Sequence, residues 1–311
     1  MAKGGHNAVM NPSTERHPVR LRRSVLCLPA DNERALAKLE SLDCDGVIYD
    51  LEDAVLPQNK AVAREKLAGH LEAKHGARRE TIIRINGLKT EFWERDLALA
   101  VALQPDAILI PKVEGPRDIQ MVADLLADND APDSLRLWAM IETPHGVLNA
   151  AAIAETGRTR GGRLDCLVPG ANDLRKETGV AALPGRVHLV TWLMHILLAA
   201  RGSGLDVIDA VYNDFRDAEG FAAECGQGRD MGFDGKMLIH PVQIAAANDC
   251  FGISADAERD ARTIIAAFAL PENTDKAVID LNGRMIERLH LEQALRTSAK
   301  ADAIRNKGMN A

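Results

Sequence analysis

The chain has 311 residues, a formal net charge of −7, 46% hydrophobic and 27% charged residues. This length suits one large domain or two ordinary ones. The acidic balance argues against a general nucleic-acid binder, and the hydrophobic share argues against wholesale disorder.

Residues 1–21 read as a polar lead without the apolar run of a signal peptide. From residue 24 the chain takes on a rhythm. Short apolar runs fall at 24–28, 46–49, 81–85, 107–110, 135–141, 165–169, 206–210 and 236–239. Helical stretches lie between them, including 32–42, 60–74, 116–126, 146–155, 186–200, 218–229 and 241–249. Strands alternating with helices of this length indicate βαβ units and a parallel sheet. The runs are apolar throughout, as strands covered on both faces are. Eight units in this span predict an α/β fold, a (β/α)8 TIM barrel over 22–255. A doubly wound open sheet is the alternative.

The segment 256–311 lies outside the barrel count and reads as a C-terminal helical lid or extension. It holds a helix over 256–270, an apolar run at 277–281, an Asn282-Gly283 turn, and a charged helix over about 285–300. The greasiest stretch, 187–200, contains His188, Thr191 and His195 and is too short to span a bilayer. Cys27, Cys44, Cys166, Cys225 and Cys250 form no CxxC pair, so neither a disulfide framework nor a zinc site follows. These features predict a cytoplasmic protein with no membrane or nucleic-acid partner.

In such barrels the chemistry sits where the strands end. The residues just after the runs are Pro29 and Asp31, Asp50 to Asp53, Arg84 and Asn86, Pro111 to Glu114, Glu142, Asp173, Tyr212 and Asp214, and His240. Oxygen donors without a Cys or His cluster suit Mg²⁺ or Mn²⁺. Glu142 and Asp173 follow adjacent strands and could converge on one ion. Equally, these carboxylates could simply pair with Arg84 and Lys112. No GxGxxG, P-loop, HExxH or GxSxG motif is present.

Several blocks carry a resemblance. They are Arg23-Ser24-Val25-Leu26, Asp50-Leu51-Glu52-Asp53-Ala54-Val55, Arg84-Ile85-Asn86 and Pro111-Lys112-Val113-Glu114. Further on come Ile141-Glu142-Thr143-Pro144-His145-Gly146, Gly170-Ala171-Asn172-Asp173-Leu174, and Gly232-Phe233-Asp234-Gly235-Lys236 leading to Ile239-His240-Pro241. In this order they resemble the HpcH/HpaI aldolase and citrate lyase β-subunit family.

The resemblance implies a Mg²⁺-dependent barrel enzyme that makes or breaks a carbon–carbon bond beside a CoA thioester. The implied substrates are of the citramalyl-CoA or malyl-CoA kind, and the implied assembly is a homotrimer or hexamer. Carried over, Glu142 and Asp173 are the metal ligands, and Arg84 binds the keto-acid oxygens. Glu52 and Asp53 hold Arg84 and a metal-bound water. Lys38, with the region around Pro29, lies near the CoA moiety. Lys112 and His240 join Arg84 and Glu142 as substrate-binding candidates. The family tail pattern D-G-[KR]-M-[VI]-D appears here as Asn282-Gly283-Arg284-Met285-Ile286-Glu287. It implies a general acid/base, Glu287, delivered to a neighbouring subunit, with glutamate in place of aspartate. Alternatives are a citryl-thioester lyase subunit, an acyl-CoA thioesterase, and a catalytically silent metabolite-binding barrel.

Overall fold

The structure is a computed structural model that describes residues 20–72 and 79–309. The end of the helix expected over 60–74 falls outside the described residues. Arg22–Gly252 forms one compact unit, and the described residues from Ile253 onward belong to a second.

In the first unit all eight apolar runs become strands. They are β1 (Ser24–Pro29), β2 (Gly46–Asp50), β3 (Glu80–Arg84), β4 (Ala107–Ile110), β5 (Arg136–Ile141), β6 (Leu164–Pro169), β7 (Asp206–Asp209) and β8 (Gly235–Leu238). They pair in parallel, in sequence order, and β1 closes on β8. The fold is the (β/α)8 barrel. Side chains alternate across each strand, so one set fills the barrel and the other meets the helices. Val25, Ile48, Ile82, Leu109, Trp138, Cys166, Ile208 and Met237 form the inner cluster. Val47, Ile83, Ile108 and Leu137 belong to the cluster shared with the helices.

One arginine gathers the acids at the start of the strands. Arg22 donates to Glu80 at 2.8 and 2.6 Å, to Asp165 at 2.5 Å and to Asp206 at 2.7 Å. Its guanidinium also lies 4.8 Å from the Trp138 ring centroid. Between β7, β8 and their helices, the buried Lys236 donates to Asp209, Glu224 and the Ala210 carbonyl at 2.7–2.9 Å.

Two expected helices are interrupted. The stretch 146–155 divides into Pro144–Leu148 and Ala150–Glu155 around Asn149. The stretch 186–200 begins only at Val190, because Gly185 and Arg186 both adopt positive φ.

The second unit holds the helix Ala255–Ala269, the hairpin β9 (Val278–Leu281) and β10 (Arg284–Glu287), and the helix Arg288–Met309. Asn282 and Gly283 have φ of 56° and 78°, the paired positive values of a tight hairpin turn. That turn extends pairing through Glu287, which lies opposite Val278. Met285–Glu287 is therefore strand, and the expected helix starts three residues later. Phe268, Ile279 and Ile286 make its small core. None of the five cysteines is in a disulfide. Among the described residues no helix is long and apolar enough to cross a membrane.

Candidate active site

The inner-facing alternation continues past the apolar layer, and polar groups replace Ile and Met. On β2, two residues beyond Ile48, stands Asp50. On β3, two beyond Ile82, stands Arg84. The register places Asp50 opposite Arg84. The result is a two-pronged ion pair, Nε to Oδ1 at 2.7 Å and Nη2 to Oδ2 at 2.5 Å. Such forked pairs fix a guanidinium in plane and direction. The same Asp50 carboxylate accepts the Glu52 and Ala54 N–H groups at 2.8 and 3.1 Å, shaping the turn after β2.

Glu52 is buried, with Oε2 3.3 Å from Arg84 Nη1 and Oε1 receiving Lys112 Nζ at 2.7 Å. Arg84 is thus held chiefly by Asp50, whereas the sequence pointed to Glu52 and Asp53. Asp53 is exposed and faces Lys112 Nζ at 3.5 Å. The reason is parity, since Asp50 continues the inner face of β2 and Asp53 lies out on the turn.

Lys112 has a left-handed φ of 52°, an unusual conformation for a residue with a Cβ. It turns the Lys112 N–H onto Glu142 Oε1 at 2.9 Å while its side chain reaches Glu52. Burial disfavours the ammonium, but the bond to Glu52 and the surrounding carboxylates outweigh this and raise its pKa.

Glu142 follows β5 and is 2% exposed. Gly170 follows β6 one step beyond the Ile141–Pro169 register pair. A Cβ at Gly170 would overlap the Glu142 side chain, so only glycine leaves the carboxylate its place. Asp173 sits in the first turn of the helix Ala171–Thr178. Burial, then the charges of Glu52 and Asp173, push Glu142 up to about 8, with Arg84 opposing. Cys27, on the inner face of β1, is pushed up to about 12 by burial, so it offers no thiolate nucleophile.

These residues fit a small hard cation. Glu142 is destabilised as an anion by neighbouring carboxylates, and Glu52 Oε2 is buried without a hydrogen bond. Among the described residues no three His, Cys, Asp or Glu side chains form a ready-made metal cage. Mg²⁺ typically takes one or two carboxylates while water and substrate oxygens complete its shell, and Glu142 with Asp173 could supply such a pair.

The other candidates lie as follows. Lys38 ends the helix Glu33–Lys38 and is exposed. His240 caps the turn Pro241–Gln243, accepting the Val242 N–H at 3.2 Å, and stacks on Phe215 at 4.3 Å. Glu287 ends β10, its N–H donating to His290 Nδ1 at 3.0 Å. Gly170→Ala should leave the barrel folded but displace Glu142. Activity should fall about 10²-fold, the cost of misplacing a catalytic group by about 1 Å. Steady-state kinetics alongside circular dichroism checks this.

Residues 23–241 match the model of the HpcH/HpaI aldolase/citrate lyase family. A (3S)-malyl-CoA thioesterase from Cereibacter sphaeroides is 46% identical over 282 residues, covering 91% of this chain and 95% of that protein. The mitochondrial citramalyl-CoA lyase of Homo sapiens is 32% identical over 305 residues, covering 95% and 90%. Among solved structures, CitE from Mycobacterium tuberculosis with magnesium, acetoacetate and coenzyme A superposes with a TM-score of 0.70. It is 27% identical and covers 90% of this chain and 97% of its own. With its closed barrel and this match across most of its length, the chain belongs to the HpcH/HpaI aldolase/citrate lyase family.

Proposed function

We propose that this chain cleaves the C2–C3 bond of a 3-hydroxyacyl-CoA of the citramalyl-CoA or malyl-CoA kind, or forms that bond in reverse. The products of cleavage are a 2-keto acid and an acyl-CoA. It acts in the cytoplasm as a homotrimer or hexamer. The observation that carries this reading is Arg84, locked by Asp50 at the barrel mouth beside the buried Glu52 and Glu142.

Cleavage removes the hydroxyl proton. The electron pair of the breaking bond passes to the thioester α-carbon, and a proton then quenches that enolate. Arg84 sets fixed positive charge where the keto-acid oxygens lie, in a site shielded from water. Glu52 Oε2 accepts the hydroxyl proton, since it is buried and takes no hydrogen bond in the resting site. Glu142 and Asp173 hold a Mg²⁺ or Mn²⁺ ion, which when bound supplies Lewis-acid polarisation. Glu287 of a second copy, protonated beforehand, donates a proton to the enolate carbon; Glu52 then releases its proton to water, and Glu287 takes one back from water. Glu287→Gln is then expected to lower kcat about 10²-fold, the lower end for general acid catalysis. Unchanged kcat in that variant would remove Glu287 from the reaction.

A second reading has one observation in its favour, the relative at 46% identity named a (3S)-malyl-CoA thioesterase. There water would attack the thioester carbonyl and the CoA thiol would leave. Mass spectrometry of products separates the two. The protein is incubated with citramalyl-CoA, malyl-CoA or citryl-CoA, each with and without EDTA. A keto acid plus an acyl-CoA, lost with EDTA, supports the lyase. Free CoA plus the intact hydroxy acid supports the thioesterase. No product from any of them would sink both readings.

A further inference from the structure

We propose that Lys60 is a positioning residue for Glu52, clamping the turn after β2 from the side opposite Asp50; this rests on the lyase reading above. Lys60 opens the helix Lys60–Glu72 and is 6% exposed. Its Nζ donates to the Leu51 carbonyl at 2.7 Å and to the Glu52 carbonyl at 2.6 Å. The Phe92 ring lies 5.8 Å from the ammonium. Asn86 adds a second donor to Leu51 O at 2.8 Å, and is itself fixed by Asp96 at 2.5 Å.

A buried ammonium is costly unless its protons are satisfied. Here it bonds directly to two backbone carbonyls of one turn. The Glu52 and Ala54 N–H groups of that turn go to the Asp50 carboxylate. A cation thus grips the carbonyl edge while an anion grips the amide edge. The Glu52 side chain is hydrogen-bonded through Oε1 to Lys112 at 2.7 Å, whereas Oε2 has only the longer ion pair to Arg84 at 3.3 Å. With no hydrogen bond to fix it, the aim of Oε2 depends on the backbone that Lys60 holds. Asp50 aligns Arg84 on β3 and Lys60 aligns Glu52, so both groups depend on one doubly gripped turn.

The test is a double-mutant cycle on the full chain, using the thioester that the wild-type protein turns over. Lys60→Met should lower kcat about 10²-fold, the effect of misplacing a reacting group by about 1 Å. KM should change by less than about threefold, since ground-state binding is untouched. In a Glu52→Gln background, Lys60→Met should lower kcat no further, because both substitutions act on one group. Equal losses in both backgrounds, or no loss in Lys60→Met, would overturn the proposal.

A second readout is independent of turnover. In Lys60→Met the peptide spanning 50–56 should exchange its amide protons about tenfold faster, with β4 and β5 unchanged. Unaltered exchange in 50–56 would also overturn it. Should Lys60→Met fail to fold, Lys60→Gln enters the same cycle under the same criteria. A wild-type protein inactive on every thioester fails the lyase reading instead, and the exchange measurement still decides the clamp.

Discussion

Glu142→Ala is expected to reduce turnover by on the order of 10³-fold or more, with the barrel intact. Glu142 is a wall of the site rather than a support of the core. Its Oε1 meets the Lys112 N–H, and Gly170 lies against its other face. On the proposed function, removing the carboxylate takes away one of two oxygen donors for the cation; it also removes a buried group that is costly to ionise. The variant should therefore melt no lower than the wild type without metal. Added Mg²⁺, which should raise the wild-type melting temperature, should no longer do so. Metal-dependent stabilisation that survives in Glu142→Ala would show that the ion is held elsewhere. Asp173→Ala should match it in turnover.

Arg22→Ala should be the most damaging substitution for stability. Arg22 is 2% exposed and joins Glu80, Asp165 and Asp206. Removing the buried cation from such a network costs about 3–5 kcal/mol. For a unit of this size that lowers Tm by roughly 10 °C. The loss should depend on pH. Burial and the neighbouring Asp234 already push Asp206 up to about 6, with Arg22 opposing. Without Arg22 the folded state binds protons more tightly than the unfolded chain does. Stability then falls as pH rises and recovers as it drops. Denaturant melts at pH 7.5 and 5.5 should show a smaller loss for Arg22→Ala at the lower pH. Equal losses at both would mean that Arg22 acts through packing on Trp138 instead.

The barrel was legible because its strands are covered on both faces, so each run of five or so apolar residues declared itself without help from alternation. Glu142, Asp173 and Arg84 could be named as candidates because strand ends carry the chemistry of this architecture. Asp50 lay in plain view, yet its role depends on parity: two residues past Ile48 it still faces inward, whereas Asp53 does not. Counting by twos from the apolar layer would have singled it out. Gly170 was quoted without a role, because its importance comes from Glu142 across the register. Lys60 gave no local signal at all. Its partners are backbone carbonyls eight and nine residues earlier, and only the folded turn brings them to it. The start of the last helix was misplaced because a tight Asn282-Gly283 turn prolonged strand pairing to Glu287.

Closure of the sheet imposes an order on synthesis. Ser24 pairs with Lys236 across the final seam, and Arg22 meets Asp206 only when β7 exists. At about 5–20 residues per second, a ribosome exposes β1 for roughly ten to forty seconds before β8 emerges. Through that interval the nascent sheet has two open apolar edges, the form in which strands recruit foreign strands. Chaperone demand should therefore peak just before the seam can close and fall sharply once β8 has cleared the exit tunnel.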